Sequence, residues 1–343
     1  MNVQARLIAI LSFFLLSASA YATDDKTGWG VPNLQGVWDF RTLTPMERPE
    51  AFGDKAVLTQ EEAAALLNAI RPPDQKDEPT GVPSQDVEGY NSFWLDPGEN
   101  LDKELRTSLI IDPPNGRLPE RVEAAEAQRI EQNKKRTMPV RDVLSYSVGP
   151  SYLHEHPESL GLSERCLIGF NAGPPITPSA YNNNLRIVQS PGYLLLVTEM
   201  VHDARIVPTD GRPQLPNNIT QWLGSSRGYW DGETFVVETS NFTDKTPAFH
   251  LPITDIMTAE GVLGSGSNLD LVERFTLVSE NELSYEATVT ALDSFKAPFT
   301  FRVLMHRSSE KMFEYACHEG NYAMGGILRG ARLQESEATA GLD

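Results

Sequence analysis

The second half of the chain carries an almost unbroken series of strand patterns separated by hairpin signals. Over residues 185–320, short runs rich in β-branched and aromatic residues alternate with turn pairs such as Asp231-Gly232. Such runs are typical of antiparallel sheet, and Asp-Gly between two of them favours a two-residue hairpin. The predicted strands are 185–189, 193–201, 204–207, 228–230, 235–242, 269–278, 283–292, 299–307 and 312–317. No alternation of strands with helices is present, which argues against doubly wound and TIM-barrel folds.

Roughly eight or nine consecutive strands with short turns predict a mainly β fold, either a lipocalin-like antiparallel β-barrel or a strongly curved sandwich. We expect residues 185–343 to form this sheet and residues 23–184 to wrap it irregularly, as one compact unit. The wrap is expected to contain two short helices, one over 59–70 and one over 119–136, because its apolar stripes are too thin for a separate core. Thr59 and Glu62 are spaced as a capping box at the start of the first helix.

The first 22 residues have the pattern of a secretory signal peptide. Arg6 is their only charge, an apolar stretch covers 7–16, and small residues at Ala18, Ala20 and Ala22 offer cleavage near Ala20 or Ala22. The alternative is a membrane anchor, but the apolar stretch is much shorter than the roughly 20 residues that span a bilayer. The expected location is therefore the periplasm or the outside of the cell, without membrane insertion.

The charge balance bears on possible partners. There are 29 Lys and Arg residues against 47 Asp and Glu residues, so the formal net charge is -18. Like charges repel, which argues against nucleic acid as a partner. A small-molecule substrate or ligand is the expected partner, and the sequence does not define an oligomeric state.

The chain has two cysteines, Cys166 and Cys317. In an oxidising compartment an isolated pair is most simply a disulfide, and the alternative is two buried free thiols. Cys317 stands beside His318, but neighbours on a strand point to opposite faces, which argues against a nucleophile and its base.

Two strand patterns place an acidic residue among apolar neighbours. The residues sharing the first face are Tyr193, Leu195, Val197, Glu199 and, with continued extension, Asp203 and Arg205. Those sharing the second are Leu269, Leu271, Glu273, Phe275 and Leu277. Burial tends to raise a carboxyl pKa toward values useful in proton transfer. The alternatives are a structural ion pair, such as Glu273 with Arg205, or a twist that turns these residues to solvent.

Histidine is the side chain that titrates near neutral pH. His202 stands among the charged residues Glu199, Asp203 and Arg205, and His318 lies with Glu319 where the last predicted strand gives way to a loop. Either histidine can instead be an ordinary structural residue.

The uncharged stretch after Arg165 is dense in loop-forming residues. Its Tyr181 and Asn183 suit recognition of a polar small molecule, although Asn is also an ordinary turn former. His154 and His156 form an H-x-H pair without a third ligand at a diagnostic spacing, so no metal site is predicted. No dinucleotide or phosphate-binding motif is present, and we expect no cofactor.

The chain resembles a family of secreted bacterial proteins usually labelled hypothetical. The motifs that carry the resemblance are Leu34-Gln35-Gly36-Val37-Trp38, Thr44-Pro45, Glu47-Arg48-Pro49, Leu58-Thr59-x-Glu61-Glu62-Ala63, Arg106-Thr107-Ser108-Leu109-Ile110, Asp112-Pro113-Pro114-x-Gly116-Arg117, His202-Asp203-Ala204-Arg205, Asp210-Gly211-Arg212-Pro213 and Cys317-His318-Glu319-Gly320-Asn321-Tyr322. The likeness covers nearly all of the chain after residue 22 and implies secretion and a shared fold. It implies no particular reaction.

These observations favour a secreted, cofactor-independent enzyme that uses His and carboxylate acid–base chemistry on a small organic substrate in a β-barrel cavity. Without a nucleophile motif, a metal constellation or a dinucleotide fingerprint, the reactions that remain are isomerisation, elimination, cyclisation and hydrolysis, and isomerisation or elimination is preferred to hydrolysis. The predicted catalytic residues are His202, Asp203, Glu199 and His318, and the predicted substrate-binding residues are Arg205, Glu273, Tyr181, Asn183 and Glu319. His202 is expected to be the general base or acid, Asp203 its orienting partner, and Arg205 the anchor for a substrate carboxylate or enolate. The alternatives are a lipocalin-like binding protein without turnover and an interaction protein that uses its N-terminal wrap.

Overall fold

Most of the predicted strands come together in one curved antiparallel sheet. The computed structural model describes residues 26–70, 96–127, 156–163, 165–250 and 262–340. The strands are β1 (Gly36–Asp39), β2 (Ile110–Asp112), β3 (Asn184–Ser190), β4 (Tyr193–Thr198), β5 (Ala204–Pro208), β6 (Ser225–Asp231), β7 (Thr234–Ser240), β8 (Phe249–His250), β9 (Val262–Leu263), β10 (Asp270–Ser279), β11 (Glu282–Thr290) and β12 (Phe299–Ser308). The helices are α1 (Gln60–Ile70) and α2 (Tyr322–Ala340), with 3-10 turns at Glu50–Phe52, Pro157–Ser159, Met200–His202 and Gly266–Asn268.

The strand order in the sheet is β5-β4-β3-β1-β12-β11-β10-β7-β6, with β2 added to β12, while β8 and β9 form a separate two-stranded sheet. In the part of the chain that the structure describes, no ladder joins the edge strands β5 and β6, so the sheet is not closed into a barrel. The two edges nevertheless approach each other. A Cβ atom at Gly228 of β6 would lie 2.8 Å from Cγ1 of Val207 on β5. The mainly β prediction is confirmed, and the curvature agrees with the sandwich alternative, whereas the lipocalin-like barrel is not confirmed.

The concave side of the sheet holds the main core. Aromatic side chains from five strands, Trp38, Phe235, Phe275, Tyr285 and Phe301, are completely buried there. Side chains on a strand point alternately to its two faces, so alternate residues enter this core. On β10 these are Leu271, Glu273, Phe275 and Leu277, as the sequence predicts.

On β4 the predicted inward face is wrong. Leu194, Leu196 and Thr198 are buried, whereas Tyr193 is exposed and the residues between them are only partly buried. Both faces of this strand are apolar in sequence, so period-two reading alone had no basis for choosing between them.

The N-terminal part of the chain is built into the sheet, because β1 lies between β3 and β12. The indole Nε1 of Trp38 donates to the carbonyl of Leu34 at 2.8 Å, and the guanidinium of Arg307 lies 4.3 Å from the Trp38 ring centroid. Gln189 on β3 accepts from the backbone N–H of Leu34 at 2.6 Å. Residues 36–39 therefore belong to the centre of the sheet and do not merely wrap it.

The predicted capping box of α1 is confirmed. The N–H of Glu62 donates to the hydroxyl of Thr59 at 3.2 Å, and the N–H of Thr59 donates to the Glu62 carboxylate at 2.8 Å. Of the second predicted helix, residues 123–127 are helical, and 128–136 lie outside the described residues, as do the predicted signal peptide and His154. No helix in the described ranges is long and apolar enough to cross a membrane.

The region after β12 differs from the prediction. Residues 312–317 are not a strand, because their backbone groups bind side chains at the end of β4. Helix α2 was not anticipated. It contains Gly325, Gly326 and Gly330, and glycine inside a helix costs about 1 kcal/mol relative to alanine.

Candidate active site

The connection from β4 to β5 is a tight turn in a strained conformation. The strand is predicted to continue to residue 201, but it ends at Thr198, whose N–H donates to the carbonyl of Asp203 at 2.9 Å. Val201 and His202 both have positive φ angles, 58° and 45°. Left-handed backbone is unfavourable for residues other than glycine, above all for β-branched ones, and such outliers cluster at functional sites. The turn thus places His202 and Asp203 together at one end of the sheet.

Asp203 is partly buried beneath the loop that contains Gly169. Its Oδ2 accepts a hydrogen bond from the backbone N–H of Gly169 at 3.3 Å. A Cβ at position 169 would lie 2.3 Å from Cγ of Met200, so glycine permits this close approach. Burial raises the pKa of the Asp203 carboxyl from 3.8 to about 6, against the smaller lowering effects of the Gly169 N–H and of positive charge on His202, Arg205 and His318. A carboxyl group with this pKa exchanges protons readily near neutral pH.

The two histidines of this site are exposed; His202 lies in the β4–β5 turn, and His318 lies within the segment that follows β12. His202 Nδ1 donates to the backbone carbonyl of Tyr315 at 3.1 Å. In the neutral ring this bond leaves the lone pair on Nε2, where it can accept a proton. His318 follows Cys317 directly, and its charge acts on Asp203. The structure therefore brings together three of the four predicted catalytic residues: His202, Asp203 and His318.

The disulfide between Cys166 and Cys317 is confirmed, and no free cysteine remains. It joins the loop that carries Gly169 to the segment that carries His318. Asn321, which lies on the same segment as His318, donates from its side-chain amide to Cys166 Sγ at 3.3 Å. We refer to His202, Asp203 and His318 as the acid–base cluster. The disulfide thus links the loop that contacts Asp203 to the segment that carries His318.

Glu199, the fourth predicted catalytic residue, holds the neighbouring backbone in place. It is 6 % exposed; its Oε2 accepts from Asn184 Nδ2 at 2.7 Å and its Oε1 from the N–H of Phe313 at 3.3 Å. These bonds attach the segment after β12 to the end of β4. We therefore assign Glu199 to support of the turn and not to proton transfer.

Arg205 and Glu273, both predicted to bind substrate, form an ion pair inside the core. Arg205 donates from both terminal nitrogens to the Glu273 carboxylate, at 2.6 and 2.8 Å, and Glu273 is completely buried. The hydroxyl of Tyr285 donates to Glu273 at 2.8 Å and accepts from the N–H of Ile176 at 2.9 Å. The structural ion-pair alternative is thus confirmed. With these nitrogens engaged by Glu273, Arg205 is not placed to anchor a substrate carboxylate.

The remaining predicted substrate-binding residues are dispersed. Asn183 is buried, and its amide binds Asn171, the backbone of Ser179 and the backbone carbonyl of Asp96, so it shapes the loop. Tyr181 packs edge-on against Phe170 with ring centroids 5.3 Å apart. Glu319 is exposed beside His318. Of these residues only Glu319 is adjacent in sequence to a residue of the acid–base cluster, His318.

Sequence reasoning missed the role of Gly169 and two cavities. The role of Gly169 depends on contact with a turn more than thirty residues away along the chain, and no local motif marks it. A polar cleft of about 380 Å³ lies at a different place, between β1, residues 96–102 and β12. A second cavity of similar volume is lined by Glu47, residues 118–121, Glu126 and Phe295. Within the described ranges, no group of three or more His, Cys, Asp or Glu side chains is arranged to hold a metal ion.

Comparisons of the chain with protein-family models, with curated proteins and with solved structures found no match. The protein is therefore classified from its own structure alone. It is a mainly β protein with His202, Asp203 and His318 at one end of its sheet.

Proposed function

We propose that the protein is a secreted enzyme that moves a proton on a small organic substrate, by isomerisation or elimination, at the cluster of Asp203, His202 and His318. The observation that carries this proposal is the partly accessible carboxyl group of Asp203, whose pKa is raised to about 6 by burial, in a site that also contains the exposed His202 and His318. In this assignment Asp203 carries the proton itself, which changes its predicted role as an orienting partner. His202, with Nε2 facing away from Tyr315, is the complementary acid or base.

Secretion belongs to the same proposal. The pattern of the first 22 residues and the disulfide both favour an oxidising compartment outside the cytoplasm. The disulfide also has a catalytic consequence, because it fixes the segment that carries His318 beside the β4–β5 turn.

The alternative of a lipocalin-like binding protein receives less support. Such a protein needs an open interior, whereas the inward side chains of the described strands pack into one core cluster around the Arg205–Glu273 pair. The two cavities described above lie elsewhere on the molecule. A binding function would therefore have to use a cleft outside the sheet's concave side.

Titration of Asp203 tests the proposal without knowledge of the substrate. Carboxyl ¹³C chemical shifts, with the Asp203 resonance assigned through Asp203→Asn, should show a midpoint of about 6. Because ionisation is less favourable in the folded state than in the unfolded state, wild-type stability should fall as pH rises from about 4 through 6. Asp203→Asn should remove this loss and be more stable than wild type at about pH 8, by at most about 3 kcal/mol. A midpoint near 3.8 would refute the assignment.

Catalysis is tested by hydrogen exchange in D₂O on a panel of small carbonyl and carboxylate compounds, followed by ¹H NMR. Loss of a C–H signal in the presence of wild type identifies a proton that the protein abstracts. We expect Asp203→Asn to abolish this exchange and His202→Gln to slow it about 100-fold. Asp210→Asn removes an exposed carboxylate that is paired with Arg212; it is the matched control and should exchange at the wild-type rate. Undiminished exchange in folded Asp203→Asn contradicts the proposal.

A further inference from the structure

Glu199 is a buried acidic residue beside the acid–base cluster that takes no part in the proton transfer proposed above. It follows Thr198, the last residue of β4, and is 6 % exposed. Its Oε2 accepts from Asn184 Nδ2 at 2.7 Å and its Oε1 from the N–H of Phe313 at 3.3 Å. A buried carboxylate needs such partners, and here they come from two distant parts of the chain, the start of β3 and the segment after β12.

Glu199 holds both members of the hydrogen bond between His202 and Tyr315. Its backbone carbonyl accepts from the N–H of His202 at 3.2 Å, which fixes the residue that carries the imidazole ring. Its side chain binds Phe313, two residues before Tyr315. Tyr315 supplies the carbonyl that meets His202 Nδ1 at 3.1 Å. The main chain of Glu199 thus holds the donor of this bond, and its side chain holds the acceptor.

The Tyr315 carbonyl has a second anchor on its other side. It also accepts from the N–H of Cys317 at 2.9 Å, and Cys317 is bonded to Cys166. The carbonyl therefore lies between two attachments of its segment, one to Glu199 through Phe313 and one to the disulfide. The attachment to Glu199 is not covalent, so a single substitution removes it.

The bond to Tyr315 determines which nitrogen of His202 carries the hydrogen. A carbonyl oxygen has no hydrogen to donate, so the nitrogen that meets it must be protonated. The neutral ring therefore has its hydrogen on Nδ1 and its lone pair on Nε2, whereas free histidine favours the opposite arrangement. In the described part of the chain Nε2 makes no hydrogen bond, and His202 is exposed. The lone pair is open to a molecule that arrives from solvent.

We propose that Glu199 is a positioning residue that keeps His202 in the form whose Nε2 accepts a proton. It acts through the segment after β12, because its bond to Phe313 keeps the Tyr315 carbonyl on the ring. When Nε2 takes a proton from the substrate, the bonding electrons stay on the substrate and the ring becomes a cation with one hydrogen on each nitrogen. This catalytic consequence rests on the proposed function, whereas the effect of Glu199 on the ring does not.

Long-range ¹H–¹⁵N spectra of the imidazole rings show which nitrogen carries the hydrogen, with His202 assigned through His202→Gln. The full chain is measured with its disulfide intact at about pH 9, where histidine rings are neutral. In the wild type we expect the hydrogen of His202 on Nδ1. In Glu199→Ala the form with hydrogen on Nε2 should become the major one. Hydrogen on Nε2 in the wild type, or an unchanged ring in folded Glu199→Ala, overturns the proposal.

Conservative variants separate the hydrogen bond from the charge. Glu199→Gln keeps an acceptor for the Phe313 N–H, and its amide can pair with Asn184 once that side chain turns over, so it should retain the wild-type ring form. Phe313→Pro removes the N–H and leaves Glu199 intact; it should shift the ring as Glu199→Ala does, and it is the second test if Glu199→Ala does not fold. Phe313→Ala keeps the N–H and should match wild type. A wild-type ring in folded Phe313→Pro, or a shifted ring in Glu199→Gln, refutes positioning through this bond.

The D₂O exchange assay then measures the catalytic consequence. Glu199→Ala should slow exchange about tenfold and Glu199→Gln should restore most of the rate, while Glu286→Gln on β11 is the control and should exchange like wild type. The two proposals fail separately. A ring that responds to Glu199 without exchange in any protein refutes the proposed function and supports the positioning. Exchange at the wild-type rate in Glu199→Ala with a shifted ring refutes the catalytic consequence.

Discussion

The buried ion pair between Arg205 and Glu273 makes the sharpest prediction for stability. At an effective dielectric constant of about 20, opposite unit charges about 4 Å apart attract each other by about 4 kcal/mol. Removing one partner leaves the other charge in the core, where Glu273 is completely buried and Arg205 nearly so. We therefore expect Arg205→Met and Glu273→Met each to lower the free energy of unfolding by about 3–5 kcal/mol.

The double variant Arg205→Met/Glu273→Met should behave differently. Both charges are then replaced by apolar side chains of similar volume, and such replacements are often neutral or even stabilising. One cost remains, because the Tyr285 hydroxyl loses its acceptor while still accepting from Ile176, and an unsatisfied buried donor costs about 1–3 kcal/mol. The double variant should therefore lie within about 3 kcal/mol of wild type and above both single variants.

Urea unfolding at about pH 7, with the disulfide intact and fluorescence as the probe, measures all four proteins of this cycle. Glu286→Gln on β11, a partly exposed glutamate, is the matched control and should shift the free energy of unfolding by less than about 0.5 kcal/mol. The reasoning is refuted if either single variant costs less than about 1 kcal/mol, or if the double variant loses the sum of the two single losses.

Two further predictions concern the disulfide and the approach of the sheet edges. Because the disulfide joins residues 151 positions apart, Cys166→Ser/Cys317→Ser should lose about 5 kcal/mol of unfolding free energy in the chain-entropy description; a loss below about 1 kcal/mol by urea unfolding contradicts this. Gly228→Ala should destabilise by about 1–3 kcal/mol because its Cβ would overlap both Phe235 of β7 and Val207 of β5. Gly325→Ala, in α2 with open space around it, should instead stabilise by about 1 kcal/mol. Equal shifts of the melting temperature for Gly228→Ala and Gly325→Ala would refute the close packing around Gly228.

Hairpins were the most predictable part of the fold. β6 and β7 meet across Asp231-Gly232, and β10 pairs with β11 along nearly their whole lengths, as local turn signals and alternation indicate. These elements depend on residues close in the chain. The position of β1 beside β12 depends on partners at the other end of the sequence, and no local pattern could indicate it.

The candidate site was predictable in its residue types and only partly in its geometry. His202 and Asp203 were identified because they stand together in a short charged motif. The separation of Arg205 from them follows from alternation on β5, which turns Arg205 into the core toward Glu273, a contact between strands 68 residues apart. The raised pKa of Asp203 depends on burial under the Gly169 loop, a tertiary effect without a local sequence signal.

The resemblance motifs acquire a physical meaning in the structure. Arg48 is almost fully buried; its N–H donates to the carbonyl of Gly116 at 2.8 Å and its Nε to the hydroxyl of Thr107 at 2.9 Å. The Glu47-Arg48-Pro49 motif thus meets two motifs that lie more than fifty residues further along the chain. Their arrangement serves packing.

The place of β1 in the sheet has a kinetic consequence. Among the strands that the structure describes, only β1 joins the meander β3–β5 to the remainder of the sheet by a ladder of backbone hydrogen bonds. On its other side β1 pairs with β12, which ends at Ser308. During synthesis the edge of β1 that faces β12 therefore stays unpaired until β12 has been made. Pairing between such distant segments is slow because loop closure must precede it. A chain that begins after Asp39 would leave two separate sheets with no ladder between them.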